Sequence, residues 1–254
     1  MILDAFRLDG AVALVTGASA GLGAAMAVAL AEAGADVAAH GNTRSPSGTC
    51  TRIAALGRRA VPLAGDLADR ATSGRLVDEA VAQLGRLDIL INNAGTIHRR
   101  PSADVTDEDW DRVIEINLTS AFRLARAAGR HMLASARGGR IINIVSLLSF
   151  QGGIRVPAYA AAKSGLAQIT KALANEWAPN RINVNAIAPG YMETDNTVAL
   201  RADEDRSRQI LERIPAGRWG APADVAGAAV FLASPAASYV HGHVLVVDGG
   251  WMGR

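Results

Sequence analysis

The chain has 254 residues, half of them hydrophobic, with 26 glycines and only 4% aromatics, so small aliphatic side chains must pack a sizeable core. Its formal charge of +2, with acids and bases interspersed, gives no basic patch for nucleic acid. One cysteine, Cys50, excludes an intrachain disulfide, and the five histidines lack any metal-binding spacing. The opening "MILDAFRLDG" has acids where a secretory leader is basic. The apolar runs are far shorter than the roughly 18 residues of a membrane span. A cytoplasmic protein without membrane contact is expected.

In chain order, "AVALV" (11–15) predicts a buried strand, followed by a Gly-rich turn and an Ala-rich helix ending at Gly34. "ADVAAH" and "RAVPLAGD" predict the second and third strands, the latter followed by a helix to Gly85. "LDILINNAG" predicts the fourth, and Thr106 with Asp109 resembles a capping box opening one long helix. "RIINIVS" predicts the fifth strand, ahead of a helix carrying Tyr159 and Lys163. "INVNAIAPG" predicts the sixth, Pro222 opens a helix through Leu232, and "HVLVVDGG" closes as the seventh. His241 and His243 share a strand face without an acidic partner and read as structural or interface residues.

Apolar strands alternating with helices imply an α/β fold over residues 1–254, a Rossmann-type doubly wound parallel sheet of about seven strands covered on both faces. Ligands of such sheets bind outside the carboxyl ends of the strands. Asp66, Asn92 to Gly95, Ser146, and Pro189 with Gly190 all fall at such ends. "TGASAGLG" (16–23) sits between strand and helix, where glycines permit a sharp turn and free N–H groups favour a pyrophosphate. Its spacing is G-x3-G-x-G.

"YAAAK" places Tyr159 and Lys163 one helical turn apart on one face. An unperturbed phenol titrates near pH ~10, and a neighbouring ammonium lowers that value, so the pair suits a tuned general acid/base. By itself, Y-x3-K occurs on many helix surfaces. Lys163 and Lys171, however, are the only lysines among 26 basic residues, which points to a task that arginine cannot perform.

Taken in order, T-G-x3-G-x-G, Asp66, "NNAG", Asn117, Ser146, Y-x3-K and "PG" (189–190) span the chain, and together they resemble the short-chain dehydrogenase/reductase family. The resemblance implies hydride transfer between a nicotinamide cofactor and a secondary alcohol or ketone. It assigns proton transfer to Tyr159, pKa lowering and ribose binding to Lys163, the substrate oxygen to Ser146 and a water relay to Asn117. It also implies a cofactor site of Gly17, Ser19, Gly21, Leu22, Gly23, Asn42, Arg44, Asp66, Leu67, Asn93, Ala94, Gly95, Pro189, Gly190, Met192 and Thr194, with Tyr159 and Lys163. A homotetramer joined partly through the Tyr159 helix and the long helix near Asp107 is implied as well.

Two stretches, "SLLSFQGGIRVPAYAAAK" and "APGYMETDNTVALRADEDRSRQILERIPAGRWG", are similar to family members that act on deoxy-hexulosonates. A sugar acid needs cationic and polar recognition, for which "HRR" (His98 to Arg100), Gln151 and Arg155 are the candidates beside Ser146, Arg155 first and Arg100 second for the carboxylate. For the cofactor, "HGNTR" has no acid to select NAD, and Arg44 is close enough for an NADP phosphate. The resemblance favours NAD, with NADP left open. Two other readings compete. A 3-oxoacyl-carrier-protein reductase would want an open apolar channel, and a silent nucleotide-binding regulator would need none of Ser146, Tyr159 and Lys163.

Overall fold

The predicted apolar runs become seven strands in the computed structural model, which describes residues 1–254. They are β1 (Val12–Val15), β2 (Asp36–Gly41), β3 (Ala60–Ala64), β4 (Ile89–Asn92), β5 (Gly139–Ile144), β6 (Ile182–Pro189) and β7 (Val244–Val247). All pair in parallel in the order β3-β2-β1-β4-β5-β6-β7. The chain winds outward from β1 to β3, then restarts at β4 on the other side of β1. That reversal opens the crevice where ligands of such sheets sit.

Side-chain alternation along each strand divides the core into two layers. Ala13, Val15, Ile89, Ile91, Ile142 and Ile144 face α1 (Gly21–Glu32), α2 (Ser47–Ala55) and α9 (Pro222–Ala233). Val12, Leu14, Leu90, Ile141 and Val184 face α3 (Thr72–Leu84), α5 (Ser120–Ser135) and α6 (Pro157–Trp177). No helix is long and apolar enough to cross a membrane.

The elements depart from the sequence reading in three places. Between β2 and β3, where the sequence reading names no element, α2 forms with Thr49, Cys50 and Ile53 buried. The expected long helix is divided: α4 (Asp107–Ile114) passes through a π-helical turn, Glu115–Thr119, before α5 begins. Thr106 Oγ1 does accept from Asp109 N (3.2 Å), but the Asp109 carboxylate faces Arg100 and His98 instead of closing the box. Finally, the segment after β6 holds two short helices, α7 (Val198–Ala202) and α8 (Glu204–Leu211), which roof the crevice.

Candidate active site

The glycine turn is fastened from below by the fourth strand's exit. Thr16 Oγ1 accepts from Asn93 N and Ala94 N, both at 3.0 Å, while Asn93 Nδ2 donates to Thr16 O (2.9 Å) and Gly17 O (3.2 Å). From the other side, Gly17 N donates to His40 Nδ1 (3.4 Å), and Thr49 Oγ1 donates to Ala18 O (2.7 Å). Gly17 adopts φ +64°, a left-handed conformation that suits glycine. A Cβ on Gly23 would collide with Gly17 O, so that position must carry no side chain. No side chain caps that helix, whose leading N–H groups are therefore free for an anion. These residues fit the pyrophosphate of a dinucleotide.

This cradle opens into a cavity of about 890 Å³. Its walls include Gly17, Gly21, Leu22, Gly23, Asn93, Ala94, Gly95, Ser146, Gln151, Arg155, Tyr159, Lys163, Pro189, Gly190, Met192 and Thr194, all expected from the sequence. Ser19, Asn42, Arg44, Asp66 and Leu67 lie outside these walls, beyond the ends of β2 and β3. There Ser19 Oγ donates to Arg44 O (2.6 Å), and Asp66 Oδ1 accepts from Ala68 N (2.9 Å).

Ser146, just past β5, has extended backbone and caps the short turn Leu147–Ser149, accepting from Leu148 N at 3.2 Å. Its hydroxyl also sits close enough to the Tyr159 phenol to pull that group's pKa down. Pro157 starts α6 and presents Tyr159 and Lys163 on one face, with Lys163 Nζ 5.6 Å from the Tyr159 ring centre. Lys163 Nζ donates to Ile144 O (2.7 Å), and burial lowers its pKa to about 8. The expected lowering of Tyr159 by Lys163 is not found. Burial pushes the phenol up, and the opposing pulls come from Ser146 and the charge of Arg99.

Asn117 lies in the π-helical turn, fully buried. Its Nδ2 donates to Thr96 O (2.8 Å) and Val113 O (2.9 Å), whereas Oδ1 has no partner. A Cβ built on Gly95 would lie 2.6 Å from Asn117 Oδ1 and 3.6 Å from Lys163 Nζ, so both groups border the same small space.

Arg100 is not brought to the cavity. It pairs with Asp109 at 3.1 Å, and its backbone N–H donates to Arg155 O (3.0 Å). Its neighbour Arg99, from the same "HRR" stretch that the sequence offers, lines the cavity instead, as do Arg206, Arg213 and Trp251, which the sequence reading does not single out. In an extended loop adjacent side chains point opposite ways, so a choice between Arg99 and Arg100 needed the position of Asp109. Gln151 does line the cavity, with its Oε1 accepting from the Trp251 indole at 3.0 Å. Arg155 is exposed at the rim, at φ +64°.

Comparison with known proteins matches residues 17–252 to the family described as Enoyl-(Acyl carrier protein) reductase. A 2-dehydro-3-deoxy-D-gluconate 5-dehydrogenase of Escherichia coli is 54% identical over 254 residues, covering 100% of both chains. A 3-oxoacyl-[acyl-carrier-protein] reductase of Vibrio cholerae is 42% identical, covering 96% of this chain and 98% of its own. Among solved structures, a putative 2-deoxy-D-gluconate 3-dehydrogenase of Agrobacterium tumefaciens with bound NADP superposes with a TM-score of 0.93 at 54% identity, covering 98% of this chain and 99% of its own. A gluconate 5-dehydrogenase of Burkholderia cenocepacia, in complex with NADP and tartrate, has a TM-score of 0.93 at 40% identity, covering 100% of both chains.

Proposed function

The chain belongs to the short-chain dehydrogenase/reductase family and is an oxidoreductase acting on CH–OH groups; from that premise we propose that it interconverts a secondary alcohol and ketone of a deoxy-hexulosonate or related sugar acid. One observation carries this reading. The cavity holding Ser146, Tyr159 and Lys163 is also lined by Arg99, Arg155, Arg206 and Arg213. Its two carboxylates are engaged elsewhere, Asp195 with Arg44 (3.6 Å) and Asp203 with Arg206 N (3.0 Å). An excess of guanidinium suits a carboxylate and ill suits an acyl chain. The relatives that act on gluconates support the same choice over the acyl-carrier reductase. A turnover screen of uronate-type sugar acids, acetoacetyl thioesters and neutral ketoses tests it. Preferred turnover of thioesters would reverse the assignment, and no turnover with cofactor bound would favour the silent regulator.

In this reading a nicotinamide cofactor held at the glycine turn, Gly17 to Gly23, would supply or take up the hydride at the reacting carbon. Ser146 Oγ and Tyr159 Oη bracket the substrate oxygen. Tyr159 takes the hydroxyl proton during oxidation and returns it during reduction. Lys163 keeps one N–H on Ile144 O and directs its others at the ribose hydroxyls. Asn117 Oδ1, the unpartnered acceptor beside Gly95, holds a water that links Lys163 to solvent.

For the cofactor, the weight moves from NAD to NADP. β2 ends at Gly41 with no acid, Arg44 stands exposed just beyond it, and two of the relatives above carry NADP. Arg44 would meet the 2′-phosphate. Measured kcat/KM should be higher with NADP, and Arg44→Ala should lower it for NADP alone; a wild-type preference for NAD would restore the first expectation. Gly41→Asp is an unsuitable probe, because a Cβ there strikes Arg44 O and Ser19 Oγ. A cytoplasmic homotetramer using α4, α5 and α6 completes the proposal, and a stable monomer in sedimentation would count against that assembly.

A further inference from the structure

We propose that Arg213, supported by Trp251, reads the substrate carboxylate, the role that the sequence reading assigns to Arg155. The inference rests on the sugar-acid reading above and names the side chain that enforces it. Arg213 Cζ lies 4.0 Å from the centre of the Trp251 ring. A guanidinium packed on an aromatic ring keeps its own N–H donors available for a carboxylate.

Trp251 is itself fixed. Its indole N–H donates to Gln151 Oε1 (3.0 Å), and the Tyr191 ring is 4.7 Å away. The C-terminal turn bearing it is tied by Met252 N to Asp248 Oδ2 (2.7 Å), by Ala216 N to Gly249 O (3.0 Å) and by Arg254 Nη1 to Glu212 O (2.8 Å). Ile214, adjacent to Arg213, packs in one apolar cluster with Trp251 and Leu147, and Leu147 directly follows Ser146. The cation and the Ser146 end of the site therefore share a floor.

The other cavity arginines are less suited. Arg99 donates to Asn196 O (3.1 Å), and Arg206 donates to Gln209 Oε1 (3.2 Å). Arg155 stands on an exposed turn with no packed support, so binding through it must first order a free side chain. Arg213 is exposed too, but its guanidinium rests on the Trp251 ring, which gives it the packed support that Arg155 lacks.

The test uses the full-length enzyme with cofactor, a 2-dehydro-3-deoxy-gluconate-type acid and the methyl ester of the same acid. Arg213→Gln should lower kcat/KM for the acid by roughly 10- to 150-fold, the range of a lost charge-assisted hydrogen bond, chiefly through KM. The ester should lose little. Trp251→Phe, which keeps a ring beneath the guanidinium, should retain most of the acid preference, whereas Trp251→Leu should lose it. Equal losses of Arg213→Gln on acid and ester would overturn the proposal, as would an unchanged acid preference, and a selective loss in Arg155→Gln instead would return the role to Arg155. A wild-type enzyme that does not distinguish acid from ester would sink the sugar-acid reading itself, a result separate from any failure of Arg213.

Discussion

Burial shifts Tyr159 and Lys163 away from the charged pair that their spacing suggests. It raises the phenol and lowers the ammonium to about 8, so each resists its charged form. The phenol gives its proton to the substrate oxygen in reduction and, once it has released that proton, takes one from the alcohol in oxidation. Tyr159→Phe should then cut kcat by about 10²–10⁴-fold with the dinucleotide Kd nearly unchanged, as expected for loss of a general acid/base. Isothermal titration alongside turnover separates the two, and near-wild-type kcat would remove Tyr159 from the chemistry. Lys163→Arg should also fail, because a longer planar guanidinium cannot occupy the buried slot that ends on Ile144 O. Normal activity of that variant would mean that any cation suffices. The two motif residues were legible from sequence because helical spacing alone brings them together. Arg213 and Trp251 were not, since they come from separate loops whose meeting depends on how the C-terminal turn folds back.

At the level of elements, each strand was readable to within a few residues because a parallel sheet buried on both faces demands continuous apolar runs. The π-helical turn was not readable: "EINLT" has ordinary helical composition, and nothing local marks the extra residue. Its effect is to leave Asn117 Oδ1 free beside Gly95 while Nδ2 satisfies Thr96 O and Val113 O. Asn117→Ala should therefore do two things. Loss of two buried hydrogen bonds should cost about 1–3 kcal/mol of folding stability. If the group also relays protons, kcat at a temperature well below unfolding should fall with a raised solvent deuterium isotope effect, which a merely structural residue would leave unchanged. The glycine turn makes a matching case for backbone. Gly23→Ala places a methyl against Gly17 O, so dinucleotide affinity should fall by more than about tenfold, or 1.4 kcal/mol, while the far-UV spectrum stays native. Retained affinity would show that the turn can shift aside.

On the scale of the whole sheet, the crevice between β1 and β4 is held open by contacts that cross from one winding half to the other. Asn93 reaches the glycine turn from β4, and His40 reaches it from β2 while also touching the end of β3. His40 accepts from Gly17 N through Nδ1 and donates from Nε2 to Gly65 O (2.9 Å), a pairing that only the neutral ring with its proton on Nε2 can make. Desolvation lowers its pKa below the model-peptide 6.5, with Arg75 adding to the shift and Gly65 O and Asp66 opposing it. The folded state thus resists a proton that the unfolded chain takes up, and this share of stability, present above pH 6.5, is lost as pH falls through the folded value. Asp224, lowered to about 2 by Arg218, acts only under stronger acid and leaves the His40 window separate. Cofactor binding needs the same neutral ring, because a protonated Nδ1 would face the Gly17 N–H and spoil the cradle. As pH falls below 6.5 and through the lowered His40 value, the dinucleotide should weaken in the wild type, and the rise in melting temperature that it confers should shrink. His40→Gln has no titrating ring and can still bridge Gly17 and Gly65 through its amide. Its cofactor affinity should vary less over that range, and an equal pH dependence in both proteins would place the titrating group elsewhere.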